Sequence, residues 1–284
     1  MRTLLLGSSG FIGKPLLESL ANKMEIAVFE SNKGDHFPKN VEVLPKGSSY
    51  TEQLMQIKPK QFQRVVDCSW TGLPNLNFEN NKVNLEQKLF LIEKLRQSEV
   101  TSYISFGSCL EYGSLTGEVS EGTKGKDIEN FGLTKLEVLD KVESSFEHHV
   151  WFRPFYLLGS RQHKSSLLNS AIAKLSLGEQ FLPRDPNSTH DFVAIDDAIE
   201  SFRRIILLEQ SSGIYNVGSG KLSSVNFLLN IVREYFGIPK VEDFPKTGLW
   251  ANIDRLRVTT NWTNSTTITD TIHSIIDKSF DVKK

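Results

Sequence analysis

The stretch GSSGFIG occupies residues 7–13, near the start of this chain. Residues 3–6 form an apolar run typical of a short buried strand, and residues 14–21 have the apolar spacing of a helix. A glycine-rich turn that joins a strand to a helix is the setting in which a weak glycine pattern becomes informative. We therefore expect the loop to bind the phosphates of a dinucleotide.

Each glycine of this loop has its own predicted role. Gly7 permits a tight turn, Gly10 lets the backbone approach a pyrophosphate, and Gly13 lets the helix pack closely on the strand. The helix begins with unpaired N–H groups and a partial positive charge, which both favour phosphate. The alternative is a glycine-rich turn in an unrelated α/β protein, which the strand–turn–helix context disfavours.

Short apolar runs alternate with amphipathic segments along the first half of the chain. After about residue 159, loops separate predicted helices at residues 166–177 and 224–235. In the first half, strands predicted at residues 25–29, 41–44, 64–68, 101–106 and 150–153 alternate with helices predicted at residues 51–57, 83–97 and 133–145. This alternation predicts an α/β fold with a Rossmann-type, doubly wound parallel sheet. We expect residues 1–158 to be mainly a dinucleotide-binding domain. Residues 159–284 are expected to be mainly a smaller, interwoven substrate lobe, with some segments returning to the sheet.

The composition narrows the classes of function. The chain has 284 residues, a hydrophobic fraction of 39% and a formal net charge of -1, so it has no global field for nucleic acid or an anionic membrane. Two cysteines, Cys68 and Cys109, exclude a disulfide framework and favour a reducing cytoplasm. The apolar run at residues 4–6 is too short for a signal-peptide core or a membrane span. The histidines lack the spacing of metal ligands, so no metal is expected.

The end of the second predicted strand bears on the choice of cofactor. Glu30 stands there, and its carboxylate can accept hydrogen bonds from both adenosine ribose hydroxyls of NAD, whereas it would repel a 2'-phosphate. Ser31 and Asn32 follow directly and have groups that bind such a phosphate. The sequence therefore slightly favours NAD and leaves NADP open.

Five further motifs follow the glycine loop in a specific order. They are Val83-Asn84, SFGSCLEYG at residues 105–113, Arg153-Pro154-Phe155, HDFVAIDD at residues 190–197, and GIYNVG at residues 213–218. Together with the loop they resemble the extended short-chain dehydrogenase/reductase family, the NAD-dependent epimerases, dehydratases and reductases of nucleotide sugars. The resemblance extends from residue 1 to about residue 272.

The resemblance implies a catalytic segment in which one residue departs from the family pattern. It assigns Ser108 to the serine or threonine that holds the substrate oxygen and Lys135 to the lysine that lowers the pKa of a tyrosine and binds the nicotinamide ribose. The tyrosine position is occupied by Phe131, which cannot transfer a proton. Three interpretations stay open: a native tyrosine has been replaced; another group such as Tyr112, Tyr156 or water supplies the proton; or the protein binds its ligands without catalysis.

The resemblance also assigns binding residues. Expected cofactor contacts, besides the glycines and Lys135, are Phe11, Ile12, Glu30, Ser31, Asn32, Ser69, Asn84 and Phe155. Expected contacts to a nucleotide-diphosphate sugar, besides Ser108, are Cys109, Tyr156, Arg161, Lys164, Arg184 and Arg255. Trp70 stands where the family has a small residue, and it either narrows the entrance beside the nicotinamide or packs. The acidic pair Asp196-Asp197 is expected to be structural, at a turn and helix N-terminus.

The expected reaction is hydride transfer at one carbon. Dehydratases of the family carry an Asp-Glu pair after the catalytic threonine, whereas Cys109 and Leu110 stand here, and leucine does no proton chemistry. Reduction of a 4-keto sugar is favoured, with 4-epimerisation and non-catalytic binding as alternatives. The helices at residues 83–97 and 133–145 resemble the pair that forms a homodimer in the family. A role in polysaccharide biosynthesis is expected from the resemblance alone.

Overall fold

The computed structural model describes residues 1–30 and 36–281, which divide into two compact units. The first unit comprises Met1–Gly113, Gly125–Arg153 and Ile199–Tyr215. The second comprises Ser114–Lys124, Pro154–Ala198 and the chain from Asn216 onward. Each unit is therefore assembled from three separate stretches of chain.

A seven-stranded sheet forms the centre of the first unit. Its strand order is β10-β7-β5-β4-β1-β2-β3, and every neighbouring pair from β7 to β3 is parallel. The strands are β1 (Thr3–Leu6), β2 (Ile26–Phe29), β3 (Glu42–Leu44), β4 (Arg64–Asp67), β5 (Ser102–Phe106), β7 (His148–Pro154) and β10 (Gly213–Val217). The predicted α/β class with a doubly wound parallel sheet is confirmed.

Helices pack on this sheet because their apolar faces are buried against its apolar strands. They are α1 (Gly13–Leu20), α2 (Tyr50–Met55), α3 (Phe78–Gln97), α4 (Asn130–Ser145) and α6 (Ile195–Leu207), with a short 3-10 turn, η1 (Cys109–Tyr112). The strands β1, β2, β4 and β5 are buried along their whole length, as expected for strands covered on both faces. The buried stripe of α4 includes Phe131, Lys135, Val138 and Val142, so the same periodicity that packs the helix turns Phe131 and Lys135 inward.

The second unit contains a smaller, five-stranded sheet. Its order is β11-β9-β12-β6, and β8 pairs with β9 beside this path. The strands are β6 (Gly117–Val119), β8 (Tyr156–Leu158), β9 (Thr189–Ala194), β11 (Leu222–Ser224) and β12 (Leu249–Ala251); the helices are α5 (Leu167–Leu175), α7 (Val225–Tyr235), α8 (Asp254–Thr260) and α9 (Ile268–Asp281). Apolar residues of α5, α7 and α9 form its core.

Two helices, α3 and α4, begin several residues earlier than the sequence predicts. The helix α3 begins at Phe78 instead of residue 83, because the Asn77 side chain accepts a hydrogen bond from the Asn80 N–H and caps a first turn with little apolar periodicity. The helix α4 begins at Asn130 instead of residue 133. The early start brings Phe131 into α4, in helical register with Lys135 one turn later.

Candidate functional site

The glycine loop joins β1 to α1 and makes a turn that excludes larger residues. Gly7 has φ of +73°, and a Cβ there would lie 2.7 Å from the backbone carbon of Cys68. A Cβ on Gly13 would lie 2.0 Å from the Gly7 oxygen, whereas one on Gly10 would lie 3.2 Å from that oxygen. Gly7 and Gly13 are therefore required by the turn itself, while Gly10 is exposed and open to a ligand.

The start of α1 offers backbone donors to an anion. Ile12 occupies the N-cap position and provides no side-chain hydrogen bond, and the first turn carries no acidic residue. The helix N-terminus therefore keeps its electrostatic preference for phosphate. The predicted contacts Phe11 and Ile12 are both half-buried in this turn.

The predicted ribose contact lies at the end of β2. Glu30 is exposed there, and its N–H donates to the carbonyl of Leu44 at 2.9 Å, which fixes the backbone beside β3. The predicted contacts Ser31 and Asn32 lie outside the described residues.

A buried polar cluster closes the end of β4, next to the glycine loop. The Asp67 carboxylate accepts hydrogen bonds from Lys88 Nζ at 2.5 Å, Tyr103 Oη at 2.6 Å and Ser69 Oγ at 2.5 Å. Burial would raise the pKa of Asp67, but Lys88, Ser69 and Tyr103 together hold it below its ordinary value. The predicted cofactor contact Ser69 is thus fixed by Asp67 and Lys88, neither of which the sequence analysis identified.

Asn84 anchors the loop that follows β4. Its Oδ1 accepts from the Thr71 N–H at 2.8 Å, and its Nδ2 donates to the carbonyls of Thr71 and Asn80 at 3.0 and 2.7 Å. This predicted cofactor contact therefore holds the loop that carries Trp70 against α3. Any direct contact between Asn84 and a cofactor stays a prediction.

A second buried ion pair lies under Ser108. The side chain of Ser108 accepts a hydrogen bond from the Leu110 N–H at 3.1 Å, and the backbone N–H of Ser108 donates to Glu111 Oε1 at 2.8 Å. Ser108 and Glu111 thereby form a capping box at the start of η1. Arg153 Nε contacts Glu111 Oε2 at 2.5 Å, and Trp151 Nε1 donates to the same carboxylate. Burial raises the pKa of Glu111, with the Arg153 guanidinium opposing that shift. The network fixes the backbone of Ser108, whose O–H proton stays available to a ligand.

Lys135 lies in an aromatic enclosure. Its Nζ donates to the carbonyl of Phe106 at 2.8 Å and lies 3.5 Å from the centroid of the Trp70 ring and 5.6 Å from that of Phe131. The Trp70 and Phe131 rings meet edge to face, with centroids 5.5 Å apart. The Trp70 ring therefore both covers the Lys135 ammonium group and packs against Phe131.

The alternative proton sources differ in their surroundings. Tyr112 is buried, and its hydroxyl accepts a hydrogen bond from Arg153 NH1 at 3.2 Å, which indicates a packing role. Tyr156 belongs to the second unit, where its ring contacts that of His190 in a tilted arrangement, with centroids 4.1 Å apart. Cys109 is buried, as a small apolar residue would be.

The four basic residues that were predicted to contact the substrate are all exposed and belong to the second unit. Arg161 and Lys164 lie between β8 and α5, Arg184 lies between α5 and β9, and Arg255 lies in the first turn of α8. Phe155, a predicted cofactor contact, is buried in the same unit, and its N–H donates to the Val217 carbonyl at 2.8 Å. The roles of these residues stay predictions.

Two aspartates of the second unit are structural. Asp191 is fully buried and accepts hydrogen bonds from Ser219, Gly220 and the N–H of Ala251, which ties β9 to the turn after β10 and to β12. Asp197, in the first turn of α6, accepts from the N–H and Oγ of Ser265 and the N–H of Thr266.

No helix in the described part of the chain is long and apolar enough to cross a membrane. Within residues 1–30 and 36–281, no three His, Cys, Asp or Glu side chains come together as a metal-binding group.

The parallel seven-stranded sheet, with a glycine loop between β1 and α1, has the architecture of a Rossmann-type fold. A family model described as the NAD dependent epimerase/dehydratase family matches residues 3–218. The chain belongs to this family of NAD-dependent enzymes, which confirms the resemblance seen in its sequence.

Known proteins similar to this chain act on nucleotide sugars. A GDP-6-deoxy-D-talose 4-dehydrogenase of Aggregatibacter actinomycetemcomitans is 24% identical over 82% of this chain and 80% of its own length. A UDP-glucose 4-epimerase of Thermotoga maritima, solved with UDP-glucose, covers all of both chains with a TM-score of 0.84 and 16% identity. A Tyr→Phe mutant of a Bacillus cereus UDP-glucuronic acid 4-epimerase, solved with NAD and a 4-deoxy-4-fluoro substrate analogue, covers 99% of this chain and 100% of its own, with a TM-score of 0.82 and 17% identity. At these identities the structural likeness establishes the fold.

Proposed function

We propose that this chain is an NAD(P)-dependent oxidoreductase that reduces a 4-keto sugar carried on a nucleotide. The proposal rests on the similarity to the GDP-6-deoxy-D-talose 4-dehydrogenase, which matches 82% of this chain. The name of that relative describes oxidation at carbon 4 of a nucleotide-linked 6-deoxy sugar, which is a hydride transfer. A 4-dehydrogenase and a 4-keto reductase are the two directions of one reaction. The name of the relative and the proposal therefore concern the same chemical step.

The glycine loop fits a dinucleotide. A Cβ at Gly7 or Gly13 would collide with backbone atoms, and α1 begins without a side-chain cap or an acidic residue. These features leave a compact turn and backbone donors for a pyrophosphate. Glu30 supports NAD over NADP because an exposed carboxylate at that position suits ribose hydroxyls and repels a phosphate. Bound NAD(P) would exchange a hydride with the carbon that carries the substrate oxygen.

The residues near η1 support hydride chemistry at one carbon. The Ser108 hydroxyl can donate to a substrate oxygen, because its own oxygen already accepts the Leu110 N–H. Elimination of water needs an acid and a base, and Leu110 offers neither. A thiol-dependent epimerisation is disfavoured because the Cys109 side chain is buried.

A 4-epimerase is the second candidate, because two solved structures that match nearly the whole chain are UDP-sugar 4-epimerases. Incubation with NAD and either UDP-glucose or UDP-glucuronic acid, followed by separation of the epimers, distinguishes this activity. A non-catalytic binding protein is the third candidate, and Phe131 favours it. Binding of NADH without turnover of any substrate, in this chain and in Phe131→Tyr, would support that candidate.

The proposed activity is tested by comparing the chain with Phe131→Tyr. Both are given NADH or NADPH and a panel of GDP- and dTDP-linked 4-keto sugars, and the loss of reduced-nicotinamide absorbance is followed. Turnover by either protein supports a reductase. If neither protein oxidises the reduced cofactor with any 4-keto sugar although both bind it, the reductase is excluded.

We also propose a homodimer formed through α3 and α4. The two helices pack on one another and leave Val83, Phe90 and Leu133 exposed by 46%, 39% and 52%. Apolar side chains at such exposure favour burial against a second copy. For the setting, we propose the cytoplasm and a step in polysaccharide biosynthesis, which the low cysteine content of the chain and the nucleotide-sugar chemistry support.

A further inference from the structure

Among the described residues, the ammonium group of Lys135 has one hydrogen-bond acceptor and two aromatic rings around it. One N–H donates to the Phe106 carbonyl at 2.8 Å, and the Trp70 ring covers the group at 3.5 Å. Phe131, one turn before Lys135 on α4, presents a ring without oxygen 5.6 Å away. Among the described residues, the structure gives the ammonium group no further hydrogen-bond acceptor, so it can still donate to a ligand.

The polar groups around Lys135 are already engaged with one another. Asp67 binds Lys88 and Tyr103, and Glu111 binds Arg153 and Trp151. The Tyr103 hydroxyl donates to Asp67, and the Tyr112 hydroxyl accepts from Arg153. Proton release by Asp67, Tyr103 or Glu111 would disturb a buried ion pair or network, and the Tyr112 hydroxyl is buried beside the Arg153–Glu111 pair.

We propose that Lys135 itself transfers the proton in this protein, in place of the tyrosine hydroxyl that Phe131 lacks, and that Trp70 is the residue that positions its ammonium group. This inference rests on the proposed reductase function. Ser108 lies two residues after Phe106, whose carbonyl holds Lys135, so η1 and α4 bring a hydroxyl donor and an acid to the same end of β5.

The charges around Lys135 are consistent with this role. Burial and the nearby charge of Lys88, on α3, lower the pKa of Lys135 to about 7, while Glu111 of η1 and Asp67 of β4 act in the opposite direction. The Trp70 π face also favours the charged form. A group that titrates near neutral pH is suited to general acid catalysis.

The proposed step is balanced within the reaction. Reduced nicotinamide, when bound, would supply the hydride and both electrons to the substrate carbonyl carbon, and the C–O double bond would become a single bond. The resulting alkoxide takes a proton from Lys135 Nζ, so an N–H bond breaks and an O–H bond forms. Neutral Lys135 then regains its proton from water.

The first test needs no substrate. Tryptophan fluorescence of the intact protein is followed from about pH 5.5 to pH 9, because protonation of Lys135 changes the charge against the Trp70 ring. We expect a midpoint near pH 7 that is missing in Lys135→Met and in Trp70→Phe, and that persists in the control Lys141→Met on the same helix. A titration that is identical in the chain and in Lys135→Met would overturn the inference.

The second test is the pH dependence of ketone reduction. In the Phe131 protein, kcat should fall about tenfold for each pH unit above the midpoint, because the acid must be protonated. Lys135→Met should lower kcat by about 10²–10⁴-fold. Lys135→Arg should also lose turnover, because a guanidinium keeps its proton throughout this pH range. The NADH affinity of this variant shows whether the site has stayed intact.

The outcomes separate this inference from the function on which it rests. If only Phe131→Tyr turns over, the reductase stands and Lys135 is not the acid. If neither protein turns over, the function fails and the inference fails with it. If the Phe131 protein is active, Trp70→Leu should move the midpoint of kcat to lower pH by about one unit, because the lost π face had favoured the ammonium. An unchanged midpoint would remove Trp70 from the proposal.

Discussion

Removal of Lys88 should destabilise the first unit in a pH-dependent way. The variant Lys88→Met keeps most of the side-chain volume but takes away the cation that lies 2.5 Å from the buried Asp67 carboxylate. Ser69 and Tyr103 still donate to that carboxylate, but its charge is left without a counterion. Breaking a buried pair by removing one partner costs about 3–5 kcal/mol of unfolding free energy.

The sign of the pH dependence follows from the pKa of Asp67. In the native protein this pKa is held below its ordinary value, so the carboxylate contributes stability above the unfolded-state pKa and loses it as the pH falls through the folded-state pKa. Without Lys88, burial raises the pKa of Asp67. The loss of stability in Lys88→Met should therefore be largest near pH 8 and shrink toward pH 5, where the carboxyl takes up a proton and becomes neutral.

Urea unfolding followed by circular dichroism at the two pH values measures this effect. Lys60→Met is the matched control, because Lys60 pairs with Glu99 at 3.5 Å on the surface, where such a change costs well under about 1 kcal/mol. The double variant Asp67→Asn/Lys88→Met should recover most of the loss, since it buries no charge. A loss in Lys88→Met that is below about 1 kcal/mol, or equal at both pH values, would refute the reasoning.

Three further predictions follow from the loop, the cofactor carboxylate and the exposed helix face. Gly13→Ala should lower the melting temperature, because the added Cβ would lie 2.0 Å from the Gly7 oxygen. Gly10→Ala, whose Cβ would lie 3.2 Å from that oxygen, should keep the fold and weaken NADH binding. Thermal unfolding and NADH titration measure these effects, and identical behaviour of the two variants would contradict the prediction. Glu30→Gln should reduce the preference for NADH over NADPH by about tenfold, checked by cofactor titration, with an unchanged ratio as the contrary result. Phe90→Glu should convert a dimer into monomers in light scattering, and a persistent dimer would exclude this face.

Much of the first unit could be predicted from local sequence. The glycine loop and the alternation of strands and helices follow from patterns shorter than one element, whereas Ser108 and Lys135 were assigned by the resemblance to the family. The early start of α3 could not, because Asn77 caps a polar first turn that carries little apolar periodicity. In the same way, Phe131 could be aligned with a family position from the sequence, but its inward direction depends on α4 beginning at Asn130.

The order of most strands and helices in the first unit can be predicted from local sequence, because hydrophobic period and turn residues act over a few neighbouring positions. The pairing of charged residues depends instead on the tertiary fold. Asp67 and Tyr103 are 36 residues apart, and Glu111 and Arg153 are 42 apart; parallel strands β4, β5 and β7 bring them together. The contact between Trp70 and Lys135 likewise joins the loop after β4 to α4. Such pairings depend on strand order and on the packing of helices against the sheet, which no local pattern in one chain specifies.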